Sequence, residues 1–315
     1  MKRFKRALPF AISALLIGVL AGYAPWGEVG HIFADFDIST IIILVVLSLV
    51  YYALKTVRFW YLLQAMGIKQ PLKIVALSYM SAQPVTLLPA GELYRSHSLE
   101  KHTGVPVKDS LPQFTTQGLL EGAAMATLSI FSALALGTLR LLVIGIAIIV
   151  LICMIGISRG YLVNFSQFLN RLPFLHLKNS SIEQFSKQHK DILSWHWLPL
   201  LYGISLVIEG VGAGIAYASV TGLGGHINAY QAILAYAVPI ILGFVSLLPG
   251  GFGVSEQSAV GVLLLSDLKV ATAVAATLVM RVTIVGLGVV YGGIAFLISR
   301  THLKKLNFQA LTNKV

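Results

Sequence analysis

The sequence predicts an all-α polytopic membrane protein of about eight spans plus two short broken or re-entrant helices, in two inverted repeats. Three observations predict it. The chain is 57% hydrophobic and 11% charged, against roughly 25% charged in a soluble domain. Apolar runs of about 20 residues, the length a helix needs to cross a bilayer, recur along most of it. They do not alternate with period two, as barrel strands would. Third, the segment VTLLPAG at Val85 to Gly91 returns as VSLLPGG at Val245 to Gly251, identical at five of seven positions.

The spans fall at about 8–23, 41–63, 74–88, 110–136, 139–157, 198–220, 230–248 and 271–298. In each copy of the repeated segment Pro removes a backbone donor and Gly permits positive φ. Pro89, Gly91, Pro249, Gly250, Gly251 and Gly253 therefore mark intramembrane breaks, followed by short segments at 91–101 and 253–265. Paired Gly/Pro interruptions in the two halves of a membrane chain point to a transporter-like site. A chance match of abundant Leu, Gly and Val is the alternative.

Charge sets the orientation. Lys2, Arg3, Lys5 and Arg6 place the N-terminus in the cytoplasm, and Glu28, Asp35 and Asp37 suit an outer loop. Lys69 and Lys73 mark a return inside. Arg159, Arg171, Lys178, Lys187 and Lys190 make the central loop cytoplasmic, and Arg300, Lys304, Lys305 and Lys314 do so for the C-terminus. The span before the first break then runs outside to inside and the span before the second runs inside to outside, so the repeats are inverted. The expected organisation is an anchor helix and outer loop (1–40), a first repeat with a linking span (41–158), a cytoplasmic interfacial loop (159–197), a second repeat (198–299) and a basic tail (300–315). The N-terminal run reads as a retained anchor, with a cleaved signal peptide as the alternative. In the central loop, Tyr161, Phe165, Phe168, Leu169 and Leu172 make an interfacial stripe. Ser180 and Glu183 fit a capping box for a second helix there.

Ionisable residues inside spans are costly and usually functional. Glu121 is preceded on its helix face by Gln113 and Gln117, Glu209 lies among glycines, and Arg281 follows Thr277. Glu121 stands 32 residues after Pro89 and Arg281 stands 32 after Pro249. Equivalent places and opposite charges suggest a midplane pair, either a site or a buried bridge that only fixes register. Arg58, near a span end, reads as snorkelling to the interface. After the breaks, Glu92 and Glu256 are candidate caps or lipid ligands. Arg95 is a partner for Glu92 or for an anionic head group at a helix start. The small-xxx-small pairs Gly118/Gly122, Gly210/Gly214 and Gly288/Gly292 read mostly as helix packing.

The net charge of +11 does not imply nucleic acid, because Lys and Arg sit between apolar runs. Cys153 is the sole cysteine, and the eight histidines do not cluster at metal spacing, so neither a metal nor a cofactor is expected. There is no Walker A loop, H-E-x-x-H or G-x-S-x-G motif, which argues against an enzyme and against ATP-driven transport by this chain alone.

P-A-G-E-L-Y-R at Pro89 to Arg95, followed by Gly104-Val105, and P-G-G-F-G-V-S-E at Pro249 to Glu256 resemble the lysylphosphatidylglycerol synthase transmembrane family. These are flippase-like proteins that include the membrane half of the bacterial multiple peptide resistance factor. The similarity spans roughly 41–299. It implies translocation of an anionic or aminoacylated phospholipid, or of a polyprenyl-linked lipid, in the cytoplasmic (inner) membrane. It carries over Glu92, Arg95, Gly251, Gly253 and Glu256, and Glu121 by its place. The synthase members carry a soluble aminoacyl-transferase domain, whereas this chain stops about 16 residues after the last span. Lipid synthesis by this chain alone is therefore not expected. Lipid-binding or translocation residues are thus expected to be Glu92, Arg95, Gln117, Glu121, Glu209, Glu256 and Arg281. The alternative is a non-transporting accessory subunit of a membrane glycosyltransferase or lipid-modifying enzyme, docking through the central loop. A homo-oligomer is a further possible assembly.

Overall fold

The computed structural model describes residues 2–86, 91, 94–110, 112–133, 196–246 and 248–312, with isolated positions between 141 and 152, and side chains from Phe10 to Ser299. The expected interfacial helices of the central loop, Cys153, and the breaks at Pro89 and Glu92 lie outside the described residues.

The chain begins with α1 (Lys2–Tyr23), and α2 (Trp26–Ala34) meets its apolar part at an angle of 79°. The outer loop expected before residue 40 is therefore largely a helix. Val29 is buried, and Ile32 and Phe36 pack on the core from the same face. α3 (Ile38–Ala65) carries lipid-facing Ile42, Val46 and Leu49 on one side and buried Leu44, Tyr51, Arg58 and Leu62 on the other. The run expected as one span over 74–88 is instead α4 (Leu72–Ser81) and a 3-10 turn, Gln83–Val85. Pro84 stops the helix early, because a proline disfavours helical geometry in the residue before it. α5 (Tyr94–Thr103), the short α6 (Val107–Ser110) and α7 (Pro112–Ser132) complete the first half.

The second half holds α8 (Leu198–Thr221), α9 (Ala229–Val245), the 3-10 turn Pro249–Gly251, α10 (Val254–Leu264), α11 (Val270–Arg281), a π turn Val282–Gly286 and α12 (Leu287–Thr312). Asn228 caps α9 through Gln231. There are no strands among the described residues. Three helices there are long and apolar enough to cross a membrane, at Ile38–Ala65, Leu198–Thr221 and Val270–Ser299. The bent N-terminal pair makes up to four.

The two repeated heptapeptides are 160 residues apart, since 245 − 85 = 160. The same shift carries α3 onto α8, α4 into α9, α5 onto α10 and α7 onto α11 with the start of α12. Both breaks lie between the arms of helix hairpins. Arg95 lies over Tyr79 and bonds Gln83, while Ser98 bonds the Ser78 carbonyl, so α4 and α5 run antiparallel. In the second hairpin Ser255 bonds the Pro239 carbonyl, and a Cβ on Gly243 would meet its hydroxyl. Those contacts occupy the same register, because 95, 79 and 83 plus 160 give 255, 239 and 243. Each hairpin packs against the last long helix of the other half, α4 on α12 and α9 on α7. α3 and α8 form the central seam. Arg58 bonds Ser205, and Thr40 lies where a Cβ on Gly222 would be. Rising numbers on one helix meet falling numbers on the other, so these equivalent helices are antiparallel.

Candidate functional site: a buried polar core between two helix hairpins

Tyr51, Lys55 and Arg58 recur at i, i+4 and i+7 on α3, so they share one helical face. Ser205, Glu209 and Gly212 have the same spacing on α8. The antiparallel register lays the two stripes against each other. Arg58 is fully buried, at 0% exposure, which corrects its reading as an interfacial snorkel. Its guanidinium donates to Ser205 Oγ at 3.0 Å and to Glu121 Oε1. Lys55 Nζ lies 3.2 Å from that same oxygen, and Gln117 Nε2 donates to it at 3.2 Å. One carboxylate on α7 thus gathers two cations from α3.

Glu209, 1% exposed, has no cation within ion-pair distance among the described residues. Tyr236 on α9 donates to its Oε2 at 2.9 Å, and the Tyr51 hydroxyl lies 3.1 Å from that of Tyr236. Tyr236 spends its one proton on Glu209, so Tyr51 is the donor in that contact. The other carboxylate oxygen, Oε1, is buried without a partner. The Tyr51 ring carries Lys55 Nζ 4.8 Å from its centroid, which closes the network. Gly212 makes room for it, because a Cβ there would overlap the Tyr236 ring.

The second tip is a separate cluster. Gly253 N–H donates to Glu256 Oε2 at 2.6 Å, so Glu256 caps α10. Its other oxygen pairs with Arg281, which also donates to the Gly250 carbonyl at 3.2 Å and lies over Phe252. Gly250, Gly251 and Gly253 have φ of 59°, 67° and 89°, a region only glycine enters without strain. Tyr236, Ser255, Glu256, Thr277 and Arg281 line a cavity of about 60 Å³, so Tyr236 joins this tip to the core. At the first tip, Tyr52, Gln83, Thr86 and Gly288 line another of about 70 Å³. Tyr52 stacks edge-on against Tyr51 with centroids 5.4 Å apart. A line of polar side chains therefore runs from one tip through the core to the other. Gly91 is buried where a Cβ would strike the Val85 carbonyl, so only glycine fits that turn.

The structure brings Gln117, Glu121 and Glu209 into the core, and Glu256 and Arg281 into the second tip. Arg95 stands at the first tip. The expected Glu121–Arg281 pair is not formed: Glu121 is held by Lys55 and Arg58, and Arg281 by Glu256. A shared repeat position does not bring two side chains together: α7 turns Glu121 toward α3, while α11 turns Arg281 toward Glu256 of its own hairpin. The sequence reading passed over Tyr51, Lys55, Ser205 and Tyr236. The i, i+4, i+7 spacing of Tyr51, Lys55 and Arg58 inside an apolar run was the available signal.

No curated protein matches the chain. The model of the family described as "Lysylphosphatidylglycerol synthase TM region" matches residues 6–299. Nearly the whole chain, including both hairpins and the polar core, lies within that match, and the protein belongs to this family.

Proposed function

We propose that the protein is a flippase-like translocator of an amphiphilic membrane lipid and not an enzyme. About eight spans and two re-entrant hairpins would form two inverted repeats in the cytoplasmic membrane, with both termini in the cytoplasm. Family membership supports a lipid-related role in a membrane. The observation that carries the reading is the polar core at the seam of two equivalent, antiparallel helices, flanked by two hairpins with matching contacts. Charged groups inside a bilayer mark substrate paths more often than they add stability. The arms α4 and α5, of 10 residues each, and α10, of 11, reach about 15 Å, half of a roughly 30 Å apolar core, so the hairpin tips would meet near the midplane. A lipid head group would slide along the polar line while its acyl chains stay in the bilayer. Arg95, Arg281 and Lys55 are suited to its phosphate, and Glu209 or Glu256 to a cationic part.

The test is reconstitution of the purified chain into phosphatidylcholine vesicles carrying fluorescent phosphatidylglycerol, with bleaching of the outer leaflet by a membrane-impermeant reductant. Loss of more than half of the signal supports translocation. Protection of the inner leaflet, as in protein-free vesicles, removes the reading and leaves an accessory role.

A further inference from the structure

Glu209 is chemically odd within the core. Glu121 is surrounded by donors and cations, whereas Glu209 accepts one hydroxyl and keeps Oε1 buried and bare. An ionised carboxylate with an unpartnered oxygen in an apolar bundle is expensive, and a proton on that group removes the cost. The facing groups are few. α3 presents Tyr51, Lys55 and Arg58, α7 presents Glu121, and α9 presents Tyr236. On α11, which also packs on α8, Arg281 is already engaged by Glu256 and the Gly250 carbonyl. The core thus holds two cations, Lys55 and Arg58, against two carboxylates. It is balanced when Glu209 is ionised and carries one excess positive charge when Glu209 is protonated.

We propose that Glu209 is an exchangeable proton-binding site, reached through Tyr236 from the cavity beside the second tip, and that its loading couples a proton gradient to lipid movement. The coupling half rests on the translocator reading; the proton site does not. On unloading, Glu209 passes its proton from Oε2 to the Tyr236 oxygen while Tyr236 passes its own hydroxyl proton to water in the cavity. The products are a carboxylate, a neutral tyrosine and a hydronium ion. Loading reverses the two transfers. The excess positive charge of the loaded core is what an anionic head group would neutralise, so proton and anionic lipid would travel together.

The first test is infrared spectroscopy of the full chain in phosphatidylcholine nanodiscs during a pH titration. The carbonyl stretch of a protonated carboxyl is resolved from the amide and carboxylate bands. The parent should show a titrating band that Glu209→Gln removes. Tyr236→Phe, which keeps the carboxyl and changes its hydrogen bonding, should shift the band's frequency and midpoint. A titrating band that survives in Glu209→Gln, or no such band in the parent, overturns the site. If Glu209→Gln does not purify as a folded protein, Tyr236→Phe decides alone, and an unshifted band overturns the proposal. The second test imposes a pH gradient of about two units on vesicles with fluorescent phosphatidylglycerol. One proton per lipid could sustain at most about a hundredfold asymmetry between leaflets. Asymmetry in the parent that Glu209→Gln abolishes supports coupling; equal asymmetry in both overturns it. No lipid movement in the parent sinks the translocator reading, while the infrared result still decides the proton site.

Discussion

Removing the charge of Glu121 should destabilise the protein through Arg58 and leave Arg281 indifferent. Glu121 Oε1 is the common acceptor for Arg58, Lys55 and Gln117. Glu121→Gln takes from Lys55 and Arg58 the carboxylate both are paired with and leaves Glu209, beyond ion-pair distance, as the remaining core carboxylate, and Arg58 is at 0% exposure. Breaking a buried pair costs about 3–5 kcal/mol. The Glu121 side chain is 21% exposed, which screens part of the loss and points to the lower end, about 3 kcal/mol. Arg58→Met keeps most of the volume and leaves Glu121 with Lys55, so it should cost less, about 2 kcal/mol. With both replaced, the lone-charge penalty is largely gone, and the coupling should be about 2 kcal/mol. The cycle should be measured by steric trapping in bicelles, because unfolding by heat is commonly irreversible for large proteins. A parallel cycle between Glu121 and Arg281 should be additive within about 0.5 kcal/mol. Coupling in the second cycle and additivity in the first would refute the assignment of partners.

Four further substitutions test the architecture and the first tip. Gly212→Val drives methyl groups into the Tyr236 ring and should destabilise by about 1–3 kcal/mol, whereas Gly210→Ala, with open space around its Cβ, should stay within about 0.5 kcal/mol; thermal stability in detergent compares them. Gly250→Ala, at φ 59°, should cost about 1–2 kcal/mol by forcing a side chain into the left-handed region, and circular dichroism on heating would register it. Arg95→Gln removes the guanidinium from above the Tyr79 ring and its bond to Gln83. It should lower retention of bound anionic lipid, read by native mass spectrometry, more than it lowers melting temperature; equal retention in mutant and parent would exclude Arg95 from lipid binding.

Much of this architecture can be read from the residues, and the exceptions have physical causes. Hydropathy places α3, α8 and the last long helix within a few residues, because lipid-facing and buried positions are both apolar there. The repeated segment locates the second hairpin tip, at Pro249–Gly251, while Pro89 of the first copy lies outside the described residues. Hydropathy also misleads: the apolar character of Val85 to Leu88 suggests a continuing span, yet Pro84 has already ended α4. Its counterpart at 244 is Phe, so α9 continues to Val245. Before residue 38 the acidic residues draw attention away from Val29 and Ile32 of α2, which pack on the core with Phe36 just beyond its end. Pairing was the least legible level. Glu121 and Arg281 share a repeat position, but which element each side chain faces depends on helix rotation in the bundle. Lys55, a lone charge in an apolar run, was visible, and its significance emerged only with Glu121 beside it.

The distribution of polarity along the α3–α8 seam carries one more consequence for the proposed translocator. The register fixed by Arg58 with Ser205 and Thr40 with Gly222 places Tyr51 opposite Gly212, at the centre of the crossing. In the proposed inverted repeat, the counterpart of the Arg58–Ser205 contact is Val45 with Ala218, because 205 − 160 = 45 and 58 + 160 = 218. The backbone is arranged alike on both sides of the centre, but the chemistry is not. Beyond the centre toward Arg58 lie Lys55, Glu209 and Glu121. Toward Thr40 lie Leu44, Val45 and Ser48, whose hydroxyl is spent on Tyr291 and the Val45 carbonyl. Water and a head group can be stabilised only at the charged end, so the barrier between leaflets belongs at the other, the N-terminal part of α3. On the proposed orientation, with both termini in the cytoplasm, that part lies on the outer side. The conformation seen here is therefore, on this reading, closed to the outside, with its head-group site inward of the barrier. Opening outward would require α3 and α8 to part at Leu44 and Ser219, where small and aliphatic side chains offer little to resist separation.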